Sequence, residues 1–317
     1  YWLYCKRDKP SSEESGDKMN IGVVIPCYNG GRFVVRLLKA LKKQTMFNKI
    51  KKIVVVDNAS KDNSLIIIKE FLEKHNTLKE KTIIIKNKEN KGASGGYADG
   101  ISFLLSRHGV KYIWLLDQDS VPQPNCLEKL IKRIYSVKNS VMVQPMKVER
   151  EKKIFDAGIF SGLLIPVKIV RVIGLPSRYL FLDLSDTEYV LRARSFGVHV
   201  ILEPKAKILH SFGKLYTKFH VKVHHYPPIR YFYRGRNLIL LKFSYPLKRI
   251  PLSQFLLLLI NTSTKILIFE KNRLPCLKFW IKGLMTGLRR KTRKLFKLSI
   301  IQSCARIESI KIEDASL

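Results

Sequence analysis

From Ile21 onward, short unbroken apolar runs alternate with longer stretches in which apolar side chains recur every three or four positions. Ile21–Ile25, Ile53–Val56, Thr82–Lys86 and Tyr112–Leu116 are runs of the first kind and predict strands. Phe33, Val34, Leu37, Leu38 and Leu41 have helical spacing. Helices are also predicted from about Leu65 to His75, after the start signal Asp62-Asn63-Ser64, over Ala93–Ser106, and from Pro124 to about Tyr135. Strands that are apolar throughout, separated by helices, predict a mostly parallel sheet covered on both faces. The expected class is α/β and Rossmann-like.

The pattern loosens after Val141–Gln144. A helix from about Asp186 to Phe196 and a strand over Val198–Leu202 are predicted there. After Tyr226-Pro227-Pro228 the character changes, and Arg230–Phe243 mixes aromatics with arginines. Leu252–Phe269 is apolar but interrupted by Asn261-Thr262-Ser263-Thr264-Lys265. A membrane-spanning helix needs ~20 mostly apolar residues, so an interfacial or re-entrant helix is expected, with a packed C-terminal helix pair as the alternative. Residues 1–20 are polar and read as a loose N-terminal extension. The expected division is that extension, an α/β domain over 21–225, and a basic helical region over 226–317.

Charge sharpens the picture. The chain carries 59 Lys and Arg against 25 Asp and Glu, a formal net charge of +34. Between Pro204 and Ile307 the one acidic residue is Glu270, against 23 Lys and Arg. Such a field attracts nucleic acid, anionic lipid or a phosphorylated substrate. The run Arg289-Arg290-Lys291-Thr292-Arg293-Lys294 beside an apolar stretch suits an anionic membrane surface, with a solvated helix face as the alternative. No nucleic-acid-binding signature accompanies the charge, so nucleic acid is not an expected partner. Cys5, Cys27, Cys126, Cys276 and Cys304 are odd in number and scattered, which points to a reducing compartment. His220, His224 and His225 have no Cys or Asp nearby, and zinc is not expected. The chain starts at Tyr1 with no secretory signal, and the expected location is cytoplasmic, at the inner face of the cell membrane.

The chemistry gathers where the strands end. The four loops are Pro26-Cys27-Tyr28-Asn29-Gly30-Gly31, then Asp57 to Ser64, then Asn87 to Gly100, then Asp117-Gln118-Asp119. Ligands of open α/β sheets bind at the carboxyl ends of strands. Two carboxylates one residue apart suit Mg²⁺ or Mn²⁺, which prefer hard oxygen ligands and keep phosphate or water in the shell. An acidic turn before the next helix is the alternative. Together the loops form a polar, glycine-rich pocket suited to a nucleotide.

Val23–Asn29, Val54–Ser60, Asn90-Lys91-Gly92 and the D-x-D, in this order, resemble family 2 glycosyltransferases of the GT-A fold. The resemblance extends over roughly Ile21 to Phe243. It implies a nucleotide-sugar half over about 21–120 and an acceptor half over about 121–225. Pro26, Tyr28, Asn29, Asp57, Asn58, Asn90, Gly92 and Asp117 would surround the donor. Asp119, with Asp117, would hold Mg²⁺ or Mn²⁺ on its diphosphate. Phe181–Ala193 resembles the acceptor-side motif, which makes Asp186 the implied general base, with Asp183 and Glu188 as weaker candidates. Capping the following helix is the alternative role for Asp186. Leu209-His210-Ser211-Phe212-Gly213 resembles a segment that supplies a histidine ligand, so His210 is a further metal candidate. The implied reaction is inverting transfer of a sugar from a nucleotide diphosphate to a lipid-linked or polysaccharide acceptor at the cell surface. Leu115–Ser120 and Asp186–Ala193 look most like bacterial rhamnosyltransferases. Gly92–Tyr97 and Phe160–Leu164 also resemble galactofuranosyltransferases, which remain the alternative. A basic nucleic-acid-binding protein and an inactive scaffold are the readings from other classes.

Overall fold

A computed structural model describes residues 19–137, 140–149, 152–154, 159–210, 215–218, 221–245 and 250–314. Most of the N-terminal extension, His220, and the side chains of His210 and His224 lie outside the described residues.

The first half follows the apolar pattern. Strands β1 (Ile21–Cys27), β2 (Ile50–Asp57), β3 (Thr82–Lys86) and β4 (Tyr112–Leu115) pair in parallel in the order β3-β2-β1-β4. Between them run α1 (Gly31–Lys42), α2 (Ser64–Glu73), the short α3 (Asn76–Lys81) and α4 (Gly92–Arg107). Alternate residues of β1 serve opposite faces. Ile21, Val23 and Ile25 pack with Val34, Leu37, Leu38 and Leu41 of α1, while Val24 packs with Ile101 and Leu104 of α4. Each fully buried aliphatic side chain contributes roughly 1.5–3 kcal/mol, so strands buried on both faces fix the register firmly. Helix α3 was not foreseen because only Leu78 of its six residues is buried, too little to set a period.

The second half holds β5 (Ser120–Pro122), α5 (Cys126–Tyr135), β6 (Val141–Glu149), β7 (Lys152–Ile154), β8 (Leu164–Pro166), α6 (Val167–Ile173), α7 (Ser185–Ser195), β9 (His199–His210), β10 (Leu215–Lys218) and β11 (Val221–His224). The sheet continues from β4 through β8, β6 and β9 to β5. Here it is mixed: β8 runs antiparallel to β4 and β6, β5 runs antiparallel to β9, and β6 pairs with β9 in parallel. Strands β5 and β8 have three residues each, too few to show a pattern in the sequence.

Helices α8 (Pro228–Phe243), α9 (Leu252–Thr264), α10 (Arg273–Leu288) and α11 (Arg290–Asp314) complete the chain. The polar stretch at 261–265 does not break α9, which continues as a π-turn to Phe269. Thr262 is turned inward there, with Phe255 and Ile266, while Leu256, Leu257, Ile260 and Leu267 stay exposed. Helices α8 and α10 touch through glycines. A Cβ at Gly283 would overlap the Phe232 carbonyl, and one at Gly235 or Gly287 would crowd Trp280 or Ile239. The core between these helices includes Leu180 and Leu191 as well as Tyr231, Leu238, Trp280 and Phe296, so it is continuous with the acceptor half.

Glu270 ties this region together. It is buried, and it accepts hydrogen bonds from the Tyr226 N–H at 3.2 Å and from the Tyr231 hydroxyl. His225 Nδ1 lies 2.8 Å from its other oxygen, and Lys265 Nζ is 3.8 Å away. Breaking a buried charge pair by removing one partner costs roughly 3–5 kcal/mol. Glu270→Ala is therefore expected to lower stability by about that amount, read as a shift in the urea midpoint with unchanged slope.

Candidate active site

Parallel strands bring the four loops to one edge. The backbone turns back sharply there: the non-glycine residues with positive φ among those described are Asn29, Ala59, Phe181, Asp183 and Leu184. All of them lie in loops singled out by the sequence. Left-handed backbone at such residues costs of order 1–3 kcal/mol each and persists only where the surroundings hold it.

The first two loops lock together. The Asn29 N–H donates to Ser60 Oγ at 3.0 Å, and the Lys61 N–H donates to Asn29 Oδ1 at 2.8 Å. Gly31 N–H donates to Ser64 Oγ at 2.8 Å. Asp57 is fully buried beneath this turn, with the Ser60 N–H 3.3 Å from its carboxylate. Pro26 is buried within β1, whose buried run ends at Cys27, whereas Tyr28 is exposed. The Tyr28 N–H donates to Gln118 Oε1 at 3.0 Å, so the middle residue of Asp117-Gln118-Asp119 reaches across to the first loop.

The third loop is held from beneath. Asn58 Nδ2 donates to the Gly92 carbonyl at 2.9 Å and its Oδ1 accepts from Asn87 at 3.0 Å. Asn58 thus faces the protein interior, and its amide supports the loop. Asn90 Oδ1 accepts from the Gly92 N–H at 2.8 Å. Asp99 takes Lys91 at 2.9 Å and Arg178 at 2.7 Å. Burial pushes the Asp99 carboxyl up, but Lys91 and Arg178 outweigh it and hold it below the usual range. Gly92 has φ +69°, and a Cβ there would overlap the Phe181 carbonyl of the acceptor half.

Asp117 and Asp119 are half-buried where β4 ends. Tyr97, buried on α4, donates its hydroxyl to Asp117 Oδ1 at 2.7 Å. Burial, Asp117, Asp119 and Asp186 all push the Tyr97 phenol upward, so its hydroxyl stays a donor amid three carboxylates. Strand pairing sets His210 opposite Ser120, the residue after Asp119. Among the described residues no three His, Cys, Asp or Glu side chains could hold a metal on their own. Two hard carboxylates at a strand end do fit a small dication that takes its other ligands from phosphate and water.

The acceptor-half candidates separate. Asp183 lies against Arg230, which forks onto its carboxylate at 2.9–3.1 Å. Glu188 is fully buried, 2.9 Å from Arg192 Nη2 and from the Tyr245 hydroxyl at 2.8 Å, in an arrangement that shields it from any substrate. Asp186 is half-buried and in the first turn of α7, which starts at Ser185. The alternative role as helix cap does not fall to it: Leu184 occupies that position and no side chain caps the helix. Its Oδ1 accepts the Thr187 N–H at 2.8 Å. Burial raises the Asp186 carboxyl to about 6, the Thr187 N–H opposes this, Asp183 raises it further, Lys147 lowers it and Asp117 raises it. The two carboxylates that the sequence placed in separate halves therefore share one field. Lys147, buried on β6, and Arg178 carry no signal in the sequence, and only the fold brings them here. Tyr97 and Asp99 belong to the third loop read from the sequence, but their supporting contacts are visible only in the fold.

The fold is the GT-A type of nucleotide-sugar-dependent transferases. Residues 22–173 match Glycosyl transferase family 2, and the chain belongs to that family. It is 26% identical over 302 residues to the dTDP-rhamnosyl transferase RfbF of Shigella flexneri, covering 85% of this chain and 96% of that one. An uncharacterized protein of Methanocaldococcus jannaschii is 33% identical over 175 residues, covering 54% of this chain and 70% of the other. Among solved structures, the mannosyltransferase PcManGT of Pyrobaculum calidifontis in complex with GDP-Man and Mn²⁺ superposes with a TM-score of 0.56 at 15% identity, over 95% of this chain and 90% of that one. S. aureus TarS 1-349 in complex with UDP-GlcNAc gives 0.52 at 12% identity, over 94% and 92%. The chain spans 55% of the longer S. aureus TarS structure.

Gly92 joins the halves at a point where no side chain fits. Gly92→Ala is expected to lower the melting temperature, because both the positive φ and the Phe181 contact oppose a Cβ. A melting curve beside that of the wild type checks it.

Proposed function

We propose that this family 2 glycosyltransferase is an inverting rhamnosyltransferase that moves the sugar from a nucleotide diphosphate to a hydroxyl of a lipid-linked glycan. The observation that carries the transfer reading is the half-buried Asp186, raised to about 6, in the same field as Asp117 of the D-x-D. A base must reach the attacking hydroxyl within hydrogen-bond distance and work near its own pKa. Asp183 is held by Arg230 and Glu188 by Arg192, which leaves Asp186 to take the proton. The likeness to a dTDP-rhamnosyl transferase over nearly its whole length favours rhamnose over galactofuranose.

Pro26, Tyr28, Asn29, Asp57, Asn90 and Gly92 shape the donor pocket in this reading, and Asn58 supports it from within. Asp117 and Asp119, with His210 beside them on the strand, would hold Mg²⁺ or Mn²⁺ against the diphosphate. When bound, the cation supplies charge stabilisation to the departing diphosphate. The Tyr97 hydroxyl fixes the Asp117 carboxylate through its hydrogen bond.

The membrane reading rests on α9 and its surroundings. Leu252–Phe269 is an 18-residue helical stretch long and apolar enough to cross a bilayer by length and composition. Yet Phe255 and Ile266 pack it onto the domain, which leaves one apolar face outward beside the basic α10 and α11. A helix held by its side suits shallow, in-plane contact with anionic lipid at the inner face of the cell membrane. Flotation with anionic vesicles is expected to capture the protein at low salt and release much of it at 0.5 M salt, whereas neutral vesicles capture little. Salt-insensitive capture by both kinds of vesicle would reject this mode.

Two substitutions test the chemistry. Asp119→Ala is expected to abolish the Mn²⁺-dependent part of donor binding while the fold survives, as calorimetry with and without the ion would show. Asp186→Asn is expected to lower kcat by ~10² to 10⁴ with donor affinity retained. Wild-type kcat should rise with pH through about 6 as Asp186 ionises. Stability moves the other way. The folded carboxyl holds its proton more tightly than the unfolded one, so ionisation between its ordinary value of 3.8 and about 6 costs stability, fully so at pH 7. Asp186→Asn should melt higher than wild type at pH 7 and no higher below pH 4. Wild-type turnover in the variant would remove Asp186 from the mechanism.

A further inference from the structure

Leu180 to Leu184 adopt a backbone that their own side chains disfavour. Phe181, Asp183 and Leu184 have φ of 62°, 53° and 59°, and none is glycine. Such a stretch must be held from outside. The holding groups come from α8. Asn237 is fully buried, and its Nδ2 donates to the carbonyls of Leu180 at 2.9 Å, Leu182 at 2.8 Å and Asp183 at 2.8 Å. One amide nitrogen, with two hydrogens, thus faces three carbonyls of the strained chain and shares its donors among them. Arg236 Nη2 donates to the Tyr179 carbonyl at 2.7 Å and the Leu180 carbonyl at 3.2 Å, and its Nε donates to Asn237 Oδ1 at 3.0 Å, which fixes the amide's orientation. Arg230, two turns earlier on the same face of α8, holds the Asp183 carboxylate.

The held segment has two ends with different duties. At one end the Phe181 carbonyl accepts the Ser94 N–H at 3.2 Å and lies against Gly92, so it touches the third donor loop. At the other end Leu184 leads directly into α7, and Asp186 follows two residues later. We propose that Asn237, with Arg236 orienting it, is a positioning residue for sugar transfer: it clamps residues 180–184 in a left-handed path that sets Asp186 against the donor site. The proposal rests on the reading of Asp186 as the base. The segment is strained without the clamp, because three left-handed non-glycine residues would relax to negative φ. Relaxation would rotate the first turn of α7 and withdraw its carboxylate. A displacement of about 1 Å at a reacting group can lower the rate on the order of 10²-fold.

The test uses the full chain with Asn237→Ala and Asn237→Asp. Aspartate keeps the volume but, when ionised, turns an acceptor toward three carbonyls. Hydrogen exchange over 179–188 reports the clamp without reference to activity. Faster exchange there is expected in both variants, with exchange in β1 to β4 unchanged. The transfer reaction should lose on the order of 10²-fold in kcat at a donor affinity within about twofold of wild type. The acid limb of kcat, which reflects a carboxyl surrounded by Asp183, Lys147, Asp117, Tyr97 and Arg230, should move down as Asp186 swings toward solvent. A merely structural Asn237 would lower the melting temperature and leave kcat and the acid limb of the folded protein in place, and that result overturns the proposal. So does unchanged exchange. If neither variant folds, Arg236→Lys, which removes the contact to Asn237 Oδ1, is read in the same three ways. Failure of the base reading looks different: Asp186→Asn would retain turnover, while loosened exchange in the Asn237 variants would come with wild-type kcat.

Discussion

Parallel strands cannot be joined by a tight turn. Each must be followed by a crossover that returns over one face of the sheet, and the rest of this molecule depends on that constraint. It sends the chain from the carboxyl ends of β1, β2, β3 and β4 outward at the same edge, so Asn29, Asp57, Asn87 and Asp117 become neighbours although up to 88 positions separate them. The glycines at 31, 92, 96 and 100 follow from the same geometry, because helices that start beside a neighbouring strand or loop must approach closely. A Cβ at Gly100 would run into Val24, and one at Gly31 into the backbone of Ser64.

The second half solves a different problem. It must bring an acid from elsewhere in the chain to face the first half without leaving it paired with a base. Asp183 and Glu188 are matched by arginines, whereas Asp186 is flanked by Asp183 and by the D-x-D, with Lys147 as partial compensation. A carboxylate in that setting is destabilising to the fold, and burial of its neighbours in ion pairs is what makes the arrangement tolerable. With Asp186 as the proposed base, function and stability are opposed at this one position, and the other two acids within the six residues are matched by arginines.

How far this was legible in the sequence follows from the range of each signal. Strands buried on both faces write themselves as Ile25-like and Val54-Val55-Val56 runs, and a loop at their ends can be read directly. The D-x-D and the Asp183–Glu188 motif stand out for the same reason, since their residues are neighbours in sequence. Beta strands of three residues, such as Leu164–Pro166, carry no period and escaped notice. So did Lys147 and Asn237, and the contact of Tyr97 with Asp117 was not legible either. A lysine in a strand, an asparagine among arginines and a tyrosine in a glycine-rich helix are unremarkable until the fold shows what they face. Asn58 was placed in the pocket by its position after Asp57, but alternation along the turn directs it inward toward Gly92. The polar residues at 261–265 suggested a break because composition was read without facing; Thr262 is turned toward the core and the helix runs through.

The glycine contacts between α8 and α10 have a geometric consequence. Gly235 meets the Trp280 backbone, Gly283 the Phe232 backbone, and Gly287 the Ile239 side chain and the Arg236 carbonyl, so the two helices lie closer than any Cβ would allow. Helix α8 in turn grips residues 180–184, two steps from Asp186. The exposed apolar side chains of α9 and α10 are thus connected through α8 to the segment that leads into α7. A change on that exposed flank therefore has a path of packed helices and hydrogen bonds, rather than a mobile loop, by which to reach α7.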